Sequence, residues 1–168
     1  MKRWIIGAIA ALAVGFLGWL PFPCTDAGEL YLVETLLLEA DGRQVTLYAG
    51  DVTGQGESLE AALLDLEHRA PGQLFLRQTQ RLIFCGGAAA ELDPLLLPEE
   101  LPLGTAVYGT EAPAEELCAD PDRLNAVLEA QERRRPDMPT LARLQNSALA
   151  REKTALAALP WEEAYETE

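Results

Sequence analysis

The sequence predicts an α+β fold. After an N-terminal membrane anchor we expect a small mixed sheet, made of a hairpin, a helix and two to three further strands. A C-terminal helical segment follows the sheet. Three stretches support this prediction. Asp41-Gly42 separates two runs of strand-forming residues, as in a β-hairpin. Residues 59–69 place apolar side chains at helical spacing. Residues 74–76 and 82–85 are apolar runs too short for helices, so we expect strands there.

This pattern divides the chain into four segments. We expect a signal, lipoprotein or membrane anchor at residues 1–24 and an α/β domain at residues 25–110. A helical segment at residues 111–160 should pack on this domain, and residues 161–168 should form a mobile acidic tail. A length of 168 residues suits one domain plus an anchor. Because residues 29–109 contain both strand pairs and the central helix, we expect them to fold without residues 112–168.

The N-terminus combines a positive start with an unbroken apolar run. Lys2-Arg3 precede the apolar residues 4–20. The basic end of such a segment stays in the cytoplasm, so the sequence predicts that the remainder is extracytoplasmic. Cys24 lies where a lipoprotein cysteine would lie. Two alternatives remain: Cys24 carries a lipid, or the segment is an uncleaved anchor, because Pro21-Phe22-Pro23 lack the small residues of a processing site.

The first predicted strand, residues 29–39, is apolar on both faces but contains a carboxylate. Glu34 falls on the same face as Leu32 and Leu36 and interrupts that face. Such a carboxylate either has a raised pKa or, more simply, lies at a partly exposed strand position or an interface. Residues 44–49 alternate between apolar and polar side chains and form the return strand of the hairpin.

The central helix has clear start and stop signals. We expect Gly54 and Gly56 to break the preceding strand and Ser58 to cap the helix. Pro71-Gly72 end it. The apolar stripe that should face the sheet consists of Leu59, Ala62, Leu63 and Leu66.

The C-terminal half reads as one more strand followed by helices. We expect the strand at residues 105–108. Asp120-Pro121 indicates the start of a helix, with Asp120 as the N-cap and proline at the first helical position. A further helix covers residues 140–150 with Leu141 and Leu144 facing inward, and residues 153–159 could extend it.

Charge and composition exclude several classes of function. The formal net charge of -14 disfavours nucleic acid as a partner. The single histidine and the lack of a CxxC motif exclude an ordinary zinc site, and no cofactor is predicted. Ser58 and His68 lie about 15 Å apart along the helix, so they cannot form a nucleophile–base pair, and we expect no enzyme. Cys85 either packs as a small apolar residue or forms a disulfide with Cys118.

The order of elements resembles the Ger(x)C family, the lipoprotein C subunits of spore germinant receptors. The resemblance rests on three segments: ELYLVETLLLEADGRQVTLYAGDV, GESLEAALLDLEHRAPGQLFLRQTQRLIFCG and EELCADPDRLNAVLEAQERRRPDMPTLARLQNSALAREKTALAALP. Glu39 matches the acid that ends the family's first strand, and residues 61–63 match its helix core. Residues 74–86 match its double strand.

The resemblance implies a non-enzymatic subunit on the outer face of the inner spore membrane. Its partners would be membrane-embedded A and B subunits, with the lipid bilayer contacted through the N-terminus. We expect partner contacts at Glu34, Glu39, Leu141 and Leu144, the two leucines packing either on the first domain or on a partner. The alternative is an unrelated extracytoplasmic accessory lipoprotein or binding module that shares the fold.

Overall fold

A computed structural model describes residues 29–135, 137–150 and 156–161. The strands are β1 Leu30–Leu32, β2 Thr35–Asp41, β3 Gln44–Ala49, β4 Val52–Gly56, β5 Gln73–Phe75, β6 Arg81–Cys85, β7 Ala106–Gly109 and β8 Ala157–Ala158. The α-helices are α1 Leu59–Arg69, α2 Ala88–Glu91, α3 Ala114–Ala119, α4 Pro121–Arg134 and α5 Leu141–Leu149. Two 3-10 turns, Leu76–Gln78 and Pro94–Leu96, complete the described structure.

The main sheet has six strands in the order β4-β3-β2-β6-β7-β8. Strands β2, β3 and β4 form an antiparallel meander, whereas β6, β7 and β8 join β2 in parallel. Strands β1 and β5 form a separate parallel pair. The sequence prediction of a mixed sheet with helices after it is confirmed. Within the described part of the chain, every helix is too short or too polar to cross a membrane.

The predicted strand over residues 29–39 is in fact two strands, and this expectation was wrong. Val33 and Glu34 separate β1 from β2. The carbonyl of Glu34 accepts the N–H groups of Gln80 at 2.9 Å and Arg81 at 3.2 Å. These bonds come from the segment that enters β6, so the chain changes partner from β5 to β6 at this point. Glu34 therefore lies exposed at a break rather than inside an apolar strand face.

Gly54 and Gly56 do not break the strand before the central helix, because both lie within β4. A β-carbon at Gly54 would lie 2.4 Å from the carbonyl oxygen of Ala62, and one at Gly56 would lie 2.5 Å from the Ala62 nitrogen. These glycines thus let α1 approach the backbone of β4 more closely than a side chain would permit.

The signals at the ends of α1 act as predicted. The Ser58 hydroxyl accepts the N–H of Ala61 at 3.2 Å, and the helix ends at Arg69, before Pro71-Gly72. Leu59, Ala62 and Leu66 are buried, whereas Leu63 is only half-buried.

The two faces of the sheet carry different side chains. On the first, which we call the aliphatic face, the strands pack against α1 and α5 through Leu36, Leu38, Leu47, Leu82, Phe84 and Val107. On the second, α3 and α4 cover strand residues that include Leu37, Ile83, Cys85 and Tyr108. We call this side the polar face because Arg81 and Tyr108 also form hydrogen bonds there, both with Glu132 of α4. The alternation of side chains along each strand separates the two sets.

The end of the described chain is fixed to the polar face. Ala157–Ala158 form β8, so the predicted extension of α5 is wrong at these residues. Trp161 is 2% exposed, so the predicted mobile tail does not include it. The indole N–H of Trp161 donates to Glu116 Oε1 at 2.7 Å, and the Arg123 guanidinium lies 4.2 Å from the ring centroid. Residues 1–28, including Cys24, and residues 162–168 lie outside the described part.

Candidate binding groove

An open groove of about 540 Å³ lies between the β1–β2 break and the start of α4. Its lining residues are Tyr31, Leu32, Val33, Glu34, Thr35, Leu37, Gly50, Asp51, Leu117, Cys118, Pro121, Leu124 and Asn125. Three separate parts of the chain meet there: the start of the first hairpin, the turn after β3, and the junction of α3 with α4. The groove therefore depends on the tertiary fold and not on a local motif.

Tyr31 holds one wall of the groove in place. Its hydroxyl lies 2.8 Å from the carbonyl oxygen of Ala49 and 2.8 Å from Asp51 Oδ1, so it can share its proton between two acceptors. Burial, together with the hydrogen bond to Asp51, raises the pKa of Tyr31, which keeps the hydroxyl protonated. Gly50 has φ +61°, and a β-carbon there would lie 2.8 Å from the Tyr31 oxygen. This turn must therefore be glycine for Tyr31 to close over it.

The opposite wall is the start of α4. The Asp120 carboxylate accepts the N–H of Arg123 at 3.0 Å, and Pro121 occupies the first turn, where its missing N–H costs no helical hydrogen bond. This cap fixes Leu124, which is 6% exposed and forms part of the apolar floor with Leu37. Leu32, by contrast, is 52% exposed on the rim.

The charged groups that line the groove are both acidic. Glu34 and Asp51 are exposed carboxylates, and the described lining includes no lysine, arginine or histidine. Thr35, Cys118 and Asn125 add uncharged polar groups. The groove thus combines apolar floor residues with a negative rim.

A network beside the groove fixes α4 on the sheet. Arg81 Nε lies 2.8 Å from Glu132 Oε1, and Arg81 Nη2 lies 3.1 Å from Glu132 Oε2. The hydroxyl of Tyr108 also donates to Glu132 Oε1 at 3.2 Å. The hydrogen bonds from Arg81 lower the pKa of Glu132, whereas burial raises the pKa of Tyr108. Arg81 Nη1 also lies 3.4 Å from Oδ1 of the groove residue Asn125, so the network extends to the groove. The positive charge of Arg81 is paired with Glu132.

The two described cysteines are free thiols on the polar face. Burial, with a further contribution from Glu39, raises the pKa of Cys85 to about 12. Burial also raises the pKa of Cys118, which is half-buried and lines the groove. Both thiols are therefore protonated near neutral pH, which lowers their nucleophilicity.

The residues predicted as partner contacts lie in different places. Glu34 lines the groove. Glu39 lies farther along β2, where the Tyr48 hydroxyl donates to its Oε2 at 3.5 Å. Leu141 and Leu144 are 1% and 8% exposed and pack in the core of the aliphatic face, so they contact the rest of this chain.

Sequence reasoning missed Tyr31, Asp51 and Asn125 as groove residues. The turn Gly50-Asp51 after an alternating strand was a usable signal, because it predicts a second hairpin whose tip returns toward the first strand. No comparable signal marks Asn125, which reaches the groove only through the packing of α4. Among the residues that the structure describes, no three His, Cys, Asp or Glu side chains group as metal ligands.

Comparison with known proteins leaves the groove as the main guide to function. The chain matches no protein-family model, and no curated protein or solved structure is significantly similar to it. The volume of the groove lies within the range of about 300–1,000 Å³ that is usual for ligand sites. Its polar groups suit binding of a positively charged group beside apolar atoms.

Proposed function

We propose that this protein is a non-enzymatic extracytoplasmic subunit, tethered to a membrane by its N-terminus, that acts by assembling with other membrane subunits. The Ger(x)C resemblance of residues 24–160 supports a place in a spore germinant receptor beside A- and B-type subunits. The observation that supports the proposal is the groove, because residues of the first hairpin and of the helices around Asp120 line it together.

Two features of the groove favour contact with a partner. Leu32 is 52% exposed beside the carboxylates of Glu34 and Asp51, so an apolar side chain and two charges face solvent together. Exposed apolar side chains with a polar rim are typical of interaction sites. The walls are held by the Tyr31 hydrogen bonds and by the α4 cap, so little ordering is needed on binding.

The assembly role can be tested in the native host with a tagged chain. Removing the gene should abolish or slow the response of spores to nutrients, and Leu32→Arg should reduce recovery of the neighbouring A- and B-type subunits. Leu64→Arg is the matched control, because Leu64 is 55% exposed on α1 and does not line the groove. Normal germination without the gene would contradict the proposal.

The membrane tether has tests of its own. A reporter fused after Glu168 should be active only if it functions outside the cytoplasm, because the basic N-terminal end is retained inside. Labelling with a palmitate analogue should be lost in Cys24→Ser if Cys24 carries a lipid. Equal labelling of the variant and the wild type would eliminate Cys24 as the lipid site.

The second candidate function is an accessory lipoprotein or binding module of another pathway. The volume of the groove favours it, because a site of this size can hold a small ligand without any partner subunit. Neighbouring genes separate the two candidates: genes for a multi-spanning A subunit and a transporter-like B subunit favour the receptor.

A further inference from the structure

We propose that the groove binds a short peptide segment of a partner protein, in which one lysine or arginine is flanked by apolar residues. This inference rests on the proposed role of the groove as a contact surface and adds the chemistry of the contacting segment. It follows from the juxtaposition of the Glu34 and Asp51 carboxylates with the exposed Leu32 and the apolar floor.

The charge of the groove selects a basic segment. Both charged lining residues are carboxylates at exposed positions, and Tyr31 donates to one oxygen of Asp51 at 2.8 Å. Arg81, whose Nη1 lies 3.4 Å from the lining residue Asn125, is paired with both oxygens of Glu132 and reduces the negative potential little. The formal net charge of -14 adds a long-range field that attracts basic segments.

The apolar surface selects the flanking residues. Leu124 and Leu37 form a floor that is buried beneath the rim, and Leu117 and Pro121 continue it toward α3. An apolar side chain that packs on this floor would also cover Leu32, which is 52% exposed. Removing that apolar area from water would stabilise the complex.

The open shape of the groove favours a peptide over a small molecule. Sites for small ligands enclose 70–90% or more of the ligand surface. This groove is about half open to solvent rather than enclosed, so it suits an extended chain that buries alternate side chains and leaves the others in solvent. A flexible segment can also enter from the side without opening the fold.

The test uses the full chain in nanodiscs of uncharged lipid and a fluorescent peptide, Ala-Leu-Lys-Leu-Ala with blocked ends. Fluorescence anisotropy should report saturable binding that weakens as salt rises. The same peptide with acetylated lysine should bind several-fold more weakly. Equal binding of the acetylated peptide, or no binding of either, would overturn the proposal. Hexylammonium competing at the same concentration as the peptide would also overturn it, in favour of a small-molecule site.

Variants locate the site and separate it from the rest of the surface. Glu34→Gln and Asp51→Asn should each weaken binding about fivefold, the upper range for losing one exposed charge contact. Asparagine keeps an oxygen that can accept the Tyr31 hydrogen bond, so this variant changes charge while retaining the wall. Leu32→Arg should abolish binding. Glu60→Gln and Leu64→Arg, both at exposed positions on α1, should leave it unchanged.

The outcome is distinguishable from failure of the assembly proposal. If the peptide does not bind but Leu32→Arg still reduces recovery of membrane subunits, only the basic-segment inference falls. If the peptide binds through Glu34 and Asp51 but removal of the gene leaves germination normal, the groove chemistry stands and the receptor assignment falls.

Discussion

The aliphatic and polar faces of the sheet are held to their helices by different means. On the aliphatic face, α1 and α5 contact strands through side chains that are almost all aliphatic. On the polar face, α3 and α4 pack on Ile83 and Tyr108, but α4 is also fixed by the Arg81–Glu132 ion pair. Burial of apolar area is non-directional, whereas hydrogen bonds fix position and orientation. The polar face also supplies Leu37, Leu117, Cys118 and Leu124 to the groove.

The largest expected effect comes from removing residues 112–168, which contain α3, α4, α5 and β8. The sequence suggested that residues 29–109 would fold alone, but the structure leads to the opposite expectation. Ile83 and Tyr108 are 0% exposed beneath α3 and α4 and would become exposed, as would the β7 edge. The truncated chain should lose its cooperative thermal unfolding transition, measured by circular dichroism against the full chain. A preserved transition would show that residues 29–111 fold without α3, α4, α5 and β8.

The next largest effect is expected from a cavity on the aliphatic face alone. Leu66→Ala should lower the free energy of unfolding by about 2–5 kcal/mol, because Leu66 is 0% exposed and alanine leaves a cavity. The matched Leu64→Ala on the same helix should change it by less than about 0.5 kcal/mol. Denaturant unfolding of both variants checks the assignment, and similar losses would contradict it.

A third prediction concerns how much the Arg81–Glu132 ion pair on the polar face contributes to the free energy of unfolding. Glu132→Gln should lower the free energy of unfolding by about 1–2 kcal/mol, since a charged hydrogen-bond partner is lost but Glu132 is 37% exposed and partly screened. Arg81→Met alone should also destabilise the fold. The double variant should lose less than the sum of the two, and strict additivity would remove the pair as a source of stability.

Acid should weaken the Arg81–Glu132 contact on the polar face. The Arg81 hydrogen bonds lower the pKa of Glu132 in the folded state below its ordinary value of 4.5. The carboxylate therefore contributes stability that is fully present above that value and is lost as pH falls through the lowered pKa. The difference in unfolding free energy between wild type and Glu132→Gln should be constant near neutral pH and shrink below about 4.5. A difference that grows on acidification would contradict this assignment.

The smallest effect concerns reactivity rather than stability. At pH 8, iodoacetamide should modify Cys118 faster than Cys85, because Cys85 is 0% exposed and burial raises its pKa to about 12. Mass spectrometry of the peptides separates the two sites. In denaturant both rates should become similar, whereas similar rates in the folded protein would show that β6 is not covered by α3.

The sequence was sufficient wherever local chemistry decides structure. Ser58 and Asp120 cap helices as predicted, and the apolar run in β6 is a buried strand. It was insufficient where distant residues decide. The break at Glu34 depends on N–H groups from residues 80 and 81, and the function of Gly54 depends on how closely α1 approaches β4. The groove depends in the same way on packing between segments far apart in sequence, so only Glu34 was foreseen there.

The pairing of β7 with β8 has a consequence for biosynthesis. Strands β2, β3 and β4 are joined by short turns and can pair while the chain is still being made. The partners of the outer edge of β7 come much later in the chain: the Pro139 carbonyl accepts the N–H of Val107 at 2.9 Å, and β8 begins only at Ala157. During synthesis of the intervening residues the β7 edge presents unpaired backbone groups to other nascent chains. Misassembly through this edge is therefore favoured until residues 139 and 157 have been added.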